Sequence, residues 1–350
     1  MRPLIYALHS GNLYGTERMA LATLSGLSNE FAPWLLAPNG PVIDEARRLG
    51  IPARAFSGAR DFARQLQPLV AAHRNFAFVA TGVVHSLACI ALAGAYRRRV
   101  SHVHVVHGGT DERLSYGRKR LLNRLPVRFV AVSDFVRERL LAHRVRDERV
   151  AVIENFLPDT QVAGASRRPP FARAGVRRVA IVSRIDPIKR VDLALDALDR
   201  APELAALEIN VFGTGWSLDA LRERAARSHP NVRFHGFRDD VGDRLAEHDL
   251  LLHLCPQEPF GLAVIEAMAA GLPVLVPDSG GAGSLVRPGD TGFHFRANDA
   301  HDLSNALKAL SLTDADELNR VVARADAALC ERFGERARLA DYRRLLLENH

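Results

Sequence analysis

Residues 255–281 read CPQEPFGLAVIEAMAAGLPVLVPDSGG and contain the most informative pattern in the chain. The apolar run LLLHLC precedes the loop that carries Glu258, and a helical apolar stretch ends at Gly271 before the run PVLVP. Pro259 fits the first position of that helix, so we expect Glu258 to lie beside the positive helix N-terminus. A buried strand, a helix and a second buried strand in this order predict a parallel α/β sheet.

The same alternation continues on both sides of this segment. The further strand candidates are PLIYALH, APWLLAP, FAFVA, HVHVVH, VRFVAVS and RVAVIEN in the first half, and RVAIVSR, LEINVFG, NVRFHGF and TGFHFRA in the second. Residues 156–177 are rich in Pro, Gly, Ala and Arg without a clear period, which predicts a linker. We therefore predict two doubly wound α/β domains, whose ligands bind beyond the carboxyl ends of the strands.

Composition narrows the class of protein. The 350 residues are 47% hydrophobic and 25% charged, which indicates a soluble globular chain and excludes a disordered, collagenous or disulfide-dense one. Three separated cysteines without a CxxC pair fit a reducing compartment and disfavour a structural zinc site. No signal peptide is evident, and the uncharged residues 76–96 are interrupted by polar residues, which favours a strand, a turn and a helix over a membrane span. We expect a cytoplasmic protein.

The formal net charge of +7 is concentrated in the first half of the chain. Residues 1–165 hold 22 basic and 13 acidic side chains, a balance that suits phosphate-bearing partners, nucleic acid or an anionic membrane surface. Leucines alternate there with a basic cluster that could meet lipid head groups or form a solvated helix face, Arg118, Lys119, Arg120, Arg124 and Arg128. A nucleic-acid-binding protein is disfavoured, since only 7% of the residues are aromatic and no recognition motif occurs.

Two cations at a strand end and a carboxylate on a helix point to an anionic or polar ligand. Arg184 and Lys189 lie in the loop after the strand RVAIVSR, where a planar fork and a point charge suit a diphosphate. Lysine is rare in this chain, with three lysines among 47 basic residues, which argues against two ordinary surface cations. Glu266 is surrounded by apolar residues on its helix, so we expect a buried carboxylate with a ligand or a structural partner.

The string EPFGLAVIEAMAAGLPVLVPDSGG resembles the signature of retaining glycosyltransferase family 4, whose two glutamates correspond to Glu258 and Glu266. The resemblance implies the GT-B fold, in which two Rossmann-like domains with doubly wound parallel sheets face each other across a cleft. It implies an acceptor-binding domain at 1–160, a donor-binding domain at 161–334, and a C-terminal helix at 335–350 that crosses back to the first domain.

The resemblance also implies roles for individual residues. Those implied for catalysis are His107, Arg184, Lys189 and Glu258. Those implied for donor binding are Gly15, Gly213, Gly215, Phe260, Gly261, Leu262 and Glu266. Those implied on the acceptor side are Gly11, Asn12 and Glu17. The sequence departs from the family pattern at Thr16, Phe156 and Ser284, where a glycine, a glycine and a glutamate are common.

The function that follows from the resemblance is transfer of a hexose-type sugar, with retention, to a hydroxyl acceptor that is a glycan, a lipid-linked molecule or a small molecule. The donor is a UDP-, GDP-, ADP- or TDP-linked sugar, and no metal or other cofactor is expected. The Arg184 and Lys189 charges would stabilise the departing nucleoside diphosphate. The alternative within the same fold is a sugar-nucleotide epimerase or hydrolase that needs no acceptor.

Overall fold

The computed structural model describes residues 1–109 and 111–348. The chain forms two compact units, Met1–Phe156 together with Glu335–His350, and Leu157–Gly334. Within the described ranges, no helix is both long enough and apolar enough to cross a membrane.

The first unit is built on a parallel sheet of 7 strands in the order β3-β2-β1-β4-β5-β6-β7. Its strands are β1 Arg2–Ala7, β2 Phe31–Pro38, β3 Ala53–Phe56, β4 Asn75–Ala80, β5 Arg99–Val106, β6 Arg128–Ala131 and β7 Val150–Val152. Its helices are α1 Gly15–Gly26, α2 Pro41–Arg48, α3 Gly58–Ala72, α4 Val83–Ala95, α5 Glu112–Ser115, α6 Asp134–Ala142 and α15 Glu335–Leu347, with 3-10 helices at Gly117–Leu122 and Asp147–Arg149.

Burial explains why these segments form strands. The middle residues of β1 and β4 are fully buried, as expected for a parallel sheet that is covered on both faces. The uncharged residues 76–96 form β4 and α4, in agreement with the predicted strand, turn and helix. Strand β3 was not predicted, because it is an edge strand of four residues that Arg54 interrupts.

The C-terminal helix α15 packs against the first sheet. Tyr342 and Leu346 of α15 are buried, and Arg2 donates a hydrogen bond to the carbonyl of Leu346 at 2.8 Å. The Ser101 hydroxyl of β5 donates to the carbonyl of Glu348 at 2.6 Å. The end of the chain therefore belongs to the same compact unit as its beginning.

The second unit carries a parallel sheet of 6 strands in the order β10-β9-β8-β11-β12-β13. Its strands are β8 Arg178–Val182, β9 Glu208–Phe212, β10 Val232–Gly236, β11 Leu250–Leu252, β12 Val274–Pro277 and β13 Phe293–Phe295. Its helices are α7 Asp159–Gly164, α8 Asp192–Arg200, α9 Leu218–Ser228, α10 Val241–Leu245, α11 Leu262–Ala269, α12 Gly280–Leu285, α13 Ala300–Leu312 and α14 Ala315–Arg332, with 3-10 helices at Pro187–Lys189 and Pro202–Ala206. Both strand orders reverse direction beside the first strand of the unit, which is the pattern of a doubly wound sheet.

The stretch predicted as a linker is largely part of the second unit. Helix α7 lies within it, and the Arg168 guanidinium forms an ion pair with Asp249 at 2.8 Å. The side chain of Asn319 accepts a hydrogen bond from the Phe171 backbone at 2.7 Å. Its Pro and Gly content predicts a linker, but these tertiary contacts hold the segment against the rest of the second unit.

Candidate functional site

In the second unit, the loops that follow β8 and β9 lie against each other. The Ile185 backbone donates to the carbonyl of Thr214 at 2.9 Å, and the Ser217 backbone donates to the carbonyl of Ile185 at 2.9 Å. Gly213 has a φ of +137°, and a Cβ there would lie 1.9 Å from the carbonyl oxygen of Ser183. This close approach requires glycine at 213 and brings the loop that carries Arg184 and Lys189 into a fixed position.

Two ion pairs stand at the carboxyl ends of β8 and β11. The Lys189 ammonium lies 2.6 Å from the Glu258 carboxylate, and the Arg184 guanidinium lies 3.2 Å from Asp186. The Lys189 and Glu258 side chains are 16% and 15% exposed, whereas that of Arg184 is 52% exposed. The structure thus brings together three of the predicted catalytic residues, and it pairs each cation with a carboxylate.

The Lys189–Glu258 pair is charged. Burial opposes the charge on Lys189, but the attraction of Glu258 outweighs it and raises the pKa of the ammonium. Burial likewise opposes the charge on Glu258, while Lys189 and then His253 hold the pKa of the carboxyl below its usual value. Each partner therefore keeps the other ionised near neutral pH.

A neutral histidine lies behind this pair. His253 is buried, and its Nε2 lies 3.5 Å from the Glu258 carboxylate. Burial lowers the pKa of His253 to about 4, so the ring is uncharged near neutral pH. The same surroundings raise the pKa of Cys255 to about 11, chiefly by burial, so its thiol stays protonated. His253 was not singled out in the sequence, although it lies only two residues before Cys255 on the strand end.

The helix after this loop begins later than the sequence suggested. Helix α11 starts at Leu262, and Gly261 precedes it with a φ of +106°, so the expectation that Pro259 occupies the first helical position is wrong. The left-handed conformation that only glycine adopts easily places the turn at 261 instead. Phe260 is buried and packs edge-on against Phe333, with ring centroids 5.9 Å apart. Glu258 is consequently held by Lys189 rather than serving as a helix cap.

Glu266 lies on α11 but is not buried. It is partly exposed, and the Gln161 side chain donates to it at 3.4 Å. The expectation of a buried carboxylate is wrong, because α11 turns this position away from the apolar side that buries Val264 and Ile265. Leu262, also predicted at the donor site, is likewise partly buried at the start of α11.

Two exposed aromatic side chains follow the neighbouring strands of this unit. Trp216 is 93% exposed after β9, and Phe237 is exposed after β10. The Trp216 backbone donates to Asp186, the residue that pairs with Arg184, at 3.4 Å. The sequence run FGTGW contained the signal for Trp216, since the glycines Gly213 and Gly215 mark the loop in which it lies.

In the first unit, the loop after β1 holds the residues predicted on the acceptor side. The Gly11 carbonyl accepts from the Val42 backbone at 3.2 Å, and the Asn12 backbone donates to the Ser10 hydroxyl at 3.1 Å. The structure therefore joins this loop to the start of α2.

Helix α1 begins at Gly15 and is capped by its own carboxylate. The buried Glu17 accepts from the Tyr14 backbone N–H at 3.0 Å. Burial raises the pKa of Glu17, although the Tyr14 hydrogen bond opposes that change. A phosphate at this helix terminus would have to approach a site that a carboxylate already occupies.

His107 directly follows β5 and lines a cavity of about 720 Å³ in the first unit. Its Nε2 is buried and has no hydrogen-bond partner among the described residues. Burial, with a further contribution from His9, lowers the pKa of His107 to about 3, so the ring is neutral near pH 7. It can donate or accept a single hydrogen bond at each ring nitrogen, but it supplies no positive charge.

The basic cluster predicted for lipid head groups is split by the fold. Arg118, Arg120 and Arg124 are exposed, and Arg128 donates to the Glu148 carbonyl. Lys119 is only 8% exposed and lines the same cavity as His107, so its assignment to a solvated basic face is wrong. The neighbouring Tyr116 and Leu122, which are buried, explain why this segment turns Lys119 inward.

No group of three or more His, Cys, Asp or Glu side chains is arranged to hold a metal ion within residues 1–109 and 111–348.

Comparison with known proteins identifies both units. The family model described as Glycosyltransferase Family 4 matches residues 4–161, and the one described as Glycosyl transferases group 1 matches residues 165–338. The D-inositol 3-phosphate glycosyltransferase of Nocardia farcinica is 38% identical over 161 residues, which are 43% of this chain and 36% of that protein. The phosphatidyl-myo-inositol mannosyltransferase of Mycobacterium leprae is 30% identical over 207 residues, 57% of this chain and 53% of that protein.

The matched region thus spans between about a third and about half of these relatives' own length. Among solved structures, HepE of Anabaena in complex with UDP and glucose superposes with a TM-score of 0.81 at 19% identity, covering 99% of both chains. This similarity confirms the predicted GT-B fold, and the two family models confirm the predicted family. The chain belongs to the GT-B glycosyltransferases of group 1 and family 4.

Proposed function

We propose that the protein transfers a hexose-type sugar from a nucleoside-diphosphate sugar to a hydroxyl acceptor, with retention of configuration at the anomeric carbon. The proposal rests on one observation, the two ion pairs Lys189–Glu258 and Arg184–Asp186 beyond the strand ends of the second unit. Two cations fixed in this way suit the diphosphate of a donor, and carboxylates beside them suit sugar hydroxyls. The retaining outcome and the anomeric chemistry rest on the resemblance to family 4.

In the proposed reaction, the bond between the anomeric carbon and the diphosphate oxygen breaks, and the acceptor hydroxyl oxygen bonds to the same face of that carbon. The hydroxyl proton goes to the departing diphosphate. Arg184 and Lys189 stabilise the charge that develops on that group, which lowers the barrier without a protein nucleophile. Glu258 accepts hydrogen bonds from sugar hydroxyls while it holds Lys189.

The donor is proposed to bind to the second unit. Glu266 accepts hydrogen bonds from the ribose hydroxyls in place of Gln161, and Phe260 and Gly261 approach the sugar through their backbone. Gly213 and Gly215 shape the loop beside the nucleotide. HepE of Anabaena, which shares this fold, was solved with UDP, and this supports a nucleotide donor without selecting its base.

The acceptor is proposed to bind to the first unit, where Gly11, Asn12 and Glu17 shape the loop after β1. Gly15 at the start of α1 would border the donor phosphates, and His107 would contact the sugar or the acceptor as a neutral hydrogen-bond partner. The two relatives are named for an inositol phosphate and a phosphatidylinositol, which supports a hydroxyl acceptor of the polyol class.

Calorimetric titration with UDP, GDP, ADP and TDP tests the donor site. We expect one nucleotide to bind to the wild type, and we expect Glu266→Ala and the double variant Arg184→Ala/Lys189→Ala each to weaken it at least about tenfold. The matched control is Arg227→Ala/Lys308→Ala, which removes two cations elsewhere in the second unit. Binding by these test variants at the wild-type level would contradict the proposed site.

Product analysis separates transfer from the alternative chemistry within the same fold. With the donor alone, a transferase releases little free sugar, whereas an epimerase or a hydrolase yields an epimer or the free sugar. We also expect the transfer rate to be unchanged by EDTA, because Arg184 and Lys189 supply the positive charge. The anomeric configuration of the product, measured by NMR, decides whether configuration is retained.

Peripheral contact with an anionic membrane is proposed for the exposed part of the basic cluster, Arg118, Arg120 and Arg124. Leu121 lies between them and is 60% exposed, so apolar and cationic groups meet on one surface. Vesicles with anionic lipid should bind the protein at low salt, and Arg120→Gln/Arg124→Gln should weaken that binding. Equal recovery on neutral and anionic vesicles would contradict the proposal.

A further inference from the structure

Lys119 is a buried cation that faces a cavity, and no acidic side chain is among the described residues that line it. The cavity of about 720 Å³ lies wholly in the first unit, and Lys119, His9 and His107 are among the residues that line it. The Lys119 Nζ donates to the carbonyl of Leu114 at 3.0 Å, and within the described part of the chain it forms no ion pair. An ammonium can donate three hydrogen bonds, and the described residues accept one from Lys119. The other donors and the positive charge of Lys119 are therefore available to a ligand.

The electrostatic cost of this arrangement is visible at Lys119 itself. Burial, followed by repulsion from Arg118, lowers the pKa of the Lys119 ammonium to about 8. The histidines around the cavity supply no counter-charge in either protonation state, and burial lowers the pKa of His85 to about 4 and that of His107 to about 3, so their rings are neutral near pH 7. Only an anion that enters the cavity would balance the charge.

A second group of cations lies next to the cavity. A smaller cavity of about 430 Å³ is lined by Arg113, Arg118 and Arg120, and Arg118 and Leu121 line both cavities. None of these three arginines forms an ion pair with another residue that the structure describes, although most ion pairs elsewhere in the molecule involve arginine. The combined positive charge favours a ligand group with more than one negative charge, such as a phosphate, over a carboxylate.

The remaining wall of the larger cavity is apolar. Its apolar residues include Phe56, Val83, Val84, Leu87, Leu114 and Leu121. Four of them, Val84, Leu87, Leu114 and Leu121, are large apolar side chains that the protein leaves exposed to solvent. An apolar ligand would remove this surface from water, at a gain of about 25 cal/mol for each Å² buried.

We propose that this cavity binds the acceptor, and that the acceptor is a phosphate ester of an apolar chain, with its phosphate on Lys119 and Arg118 and its chain along the apolar wall. The inference rests on the proposed function, because it assigns the chemistry of the acceptor to the unit proposed to bind it. A volume of this size is typical of ligand sites, which measure about 300–1,000 Å³.

The test is calorimetry on the full chain with three probes below their micelle concentrations, octyl phosphate, octyl glucoside and inorganic phosphate. We expect octyl phosphate to bind at least about tenfold more tightly than either of the others. Lys119→Met should reduce its affinity about tenfold, to the level of octyl glucoside, while Lys308→Met should leave it within about twofold. Thermal unfolding of each variant checks that it is folded.

Two variants of exposed residues keep the proposal testable if Lys119→Met does not fold. Arg118→Gln should weaken octyl phosphate about threefold, and Leu121→Ser should weaken octyl phosphate but not inorganic phosphate. Equal affinity for octyl phosphate and octyl glucoside would overturn the phosphate site, and equal affinity for octyl phosphate and inorganic phosphate would overturn the apolar site. A nucleotide titration on the same sample separates such a failure from failure of the proposed donor site.

Discussion

The two units treat buried positive charge in opposite ways. In the second unit the partly buried Lys189 lies 2.6 Å from the partly buried Glu258, and each partner keeps the other ionised. In the first unit Lys119 is buried beside neutral histidines and forms no ion pair with the residues that the structure describes. The first arrangement is complete in the free protein and positions its groups in advance, whereas the second becomes balanced only when an anion binds.

The largest expected effect comes from breaking the ion pair between Lys189 and Glu258. Glu258→Gln leaves the partly buried Lys189 without its counter-charge, so we expect a loss of about 2–3 kcal/mol in the free energy of unfolding. Transfer should fall at least about 100-fold, since the sugar contact and the position of Lys189 are both lost. Urea unfolding and initial rates measure the two effects.

The matched control is Glu223→Gln, which breaks an exposed helical ion pair with Arg227 and should cost less than about 1 kcal/mol. If Glu258→Gln is no more destabilising than this control, the pair does not carry the buried charge that the comparison assigns to it.

The next prediction compares the contributions of Lys189 and Arg184 to nucleotide affinity. Lys189→Met removes a partly buried charge and leaves Glu258 without this counter-charge, whereas Arg184→Met removes a half-exposed charge beside Asp186. We expect nucleotide affinity to fall about 100-fold for the first variant and about tenfold for the second. Titration with the nucleotide that the wild type binds measures both, and the reverse order would show that the exposed arginine dominates diphosphate binding.

For the site in the second unit, the sequence predicted the strands and the positions of the charged residues better than the ion pair that joins them. Each of the six strand candidates in the second half forms a strand, and Lys189 and Glu258 lie at strand ends as expected. Their ion pair joins residues 69 positions apart, and it depends on β8 and β11 being neighbours in the sheet. Strand order is a property of tertiary packing that local patterns do not contain.

The cavity at Lys119 in the first unit shows a different limit of prediction from sequence. The basic residues and leucines around Lys119 predicted a basic face that meets lipid head groups or is solvated, and Arg118 and Arg120 are indeed exposed. The orientation of Lys119 is decided by the 3-10 helix Gly117–Leu122 and by the burial of Tyr116, and neither has a clear periodic signal in six residues. The cavity that gives Lys119 its significance is likewise formed by residues from distant segments.

A smaller effect concerns the pH dependence of the first unit. Burial lowers the pKa of His102 to about 3, below the value of about 6.5 in an unfolded chain. The unfolded state therefore binds the additional proton below pH 6.5, so the stability supplied by this group is complete above that pH and is lost as the pH falls toward 3. Between pH 7 and pH 5 we expect a loss of about 2 kcal/mol from this residue.

Urea unfolding at pH 7 and pH 5 measures this change, and His102→Gln should flatten the dependence by the same amount. The exposed His301→Gln is the control and should retain the wild-type slope. A slope unchanged by His102→Gln would mean that another group titrates, and the neutral state assigned to His102 in the folded protein would not account for the pH dependence.

The smallest effect tests whether Glu17 positions the loop after β1 or contacts the acceptor directly. Glu17 is buried and its carboxylate accepts from the Tyr14 backbone at 3.0 Å, so Glu17→Gln keeps an acceptor oxygen but loses its charge. Because burial raises the pKa of Glu17, removal of its charge relieves a cost in the folded state and offsets the weaker cap, so we expect stability to change by less than about 1 kcal/mol. Nucleotide affinity should be unchanged, and the acceptor KM should rise about threefold with kcat unchanged. Glu138→Gln, an exposed carboxylate on α6, is the control. A rise in KM of about 100-fold without loss of stability would instead place Glu17 in contact with the acceptor. The loop after β1 would then resemble the cavity at Lys119, because both would make their full set of contacts only when the ligand is bound.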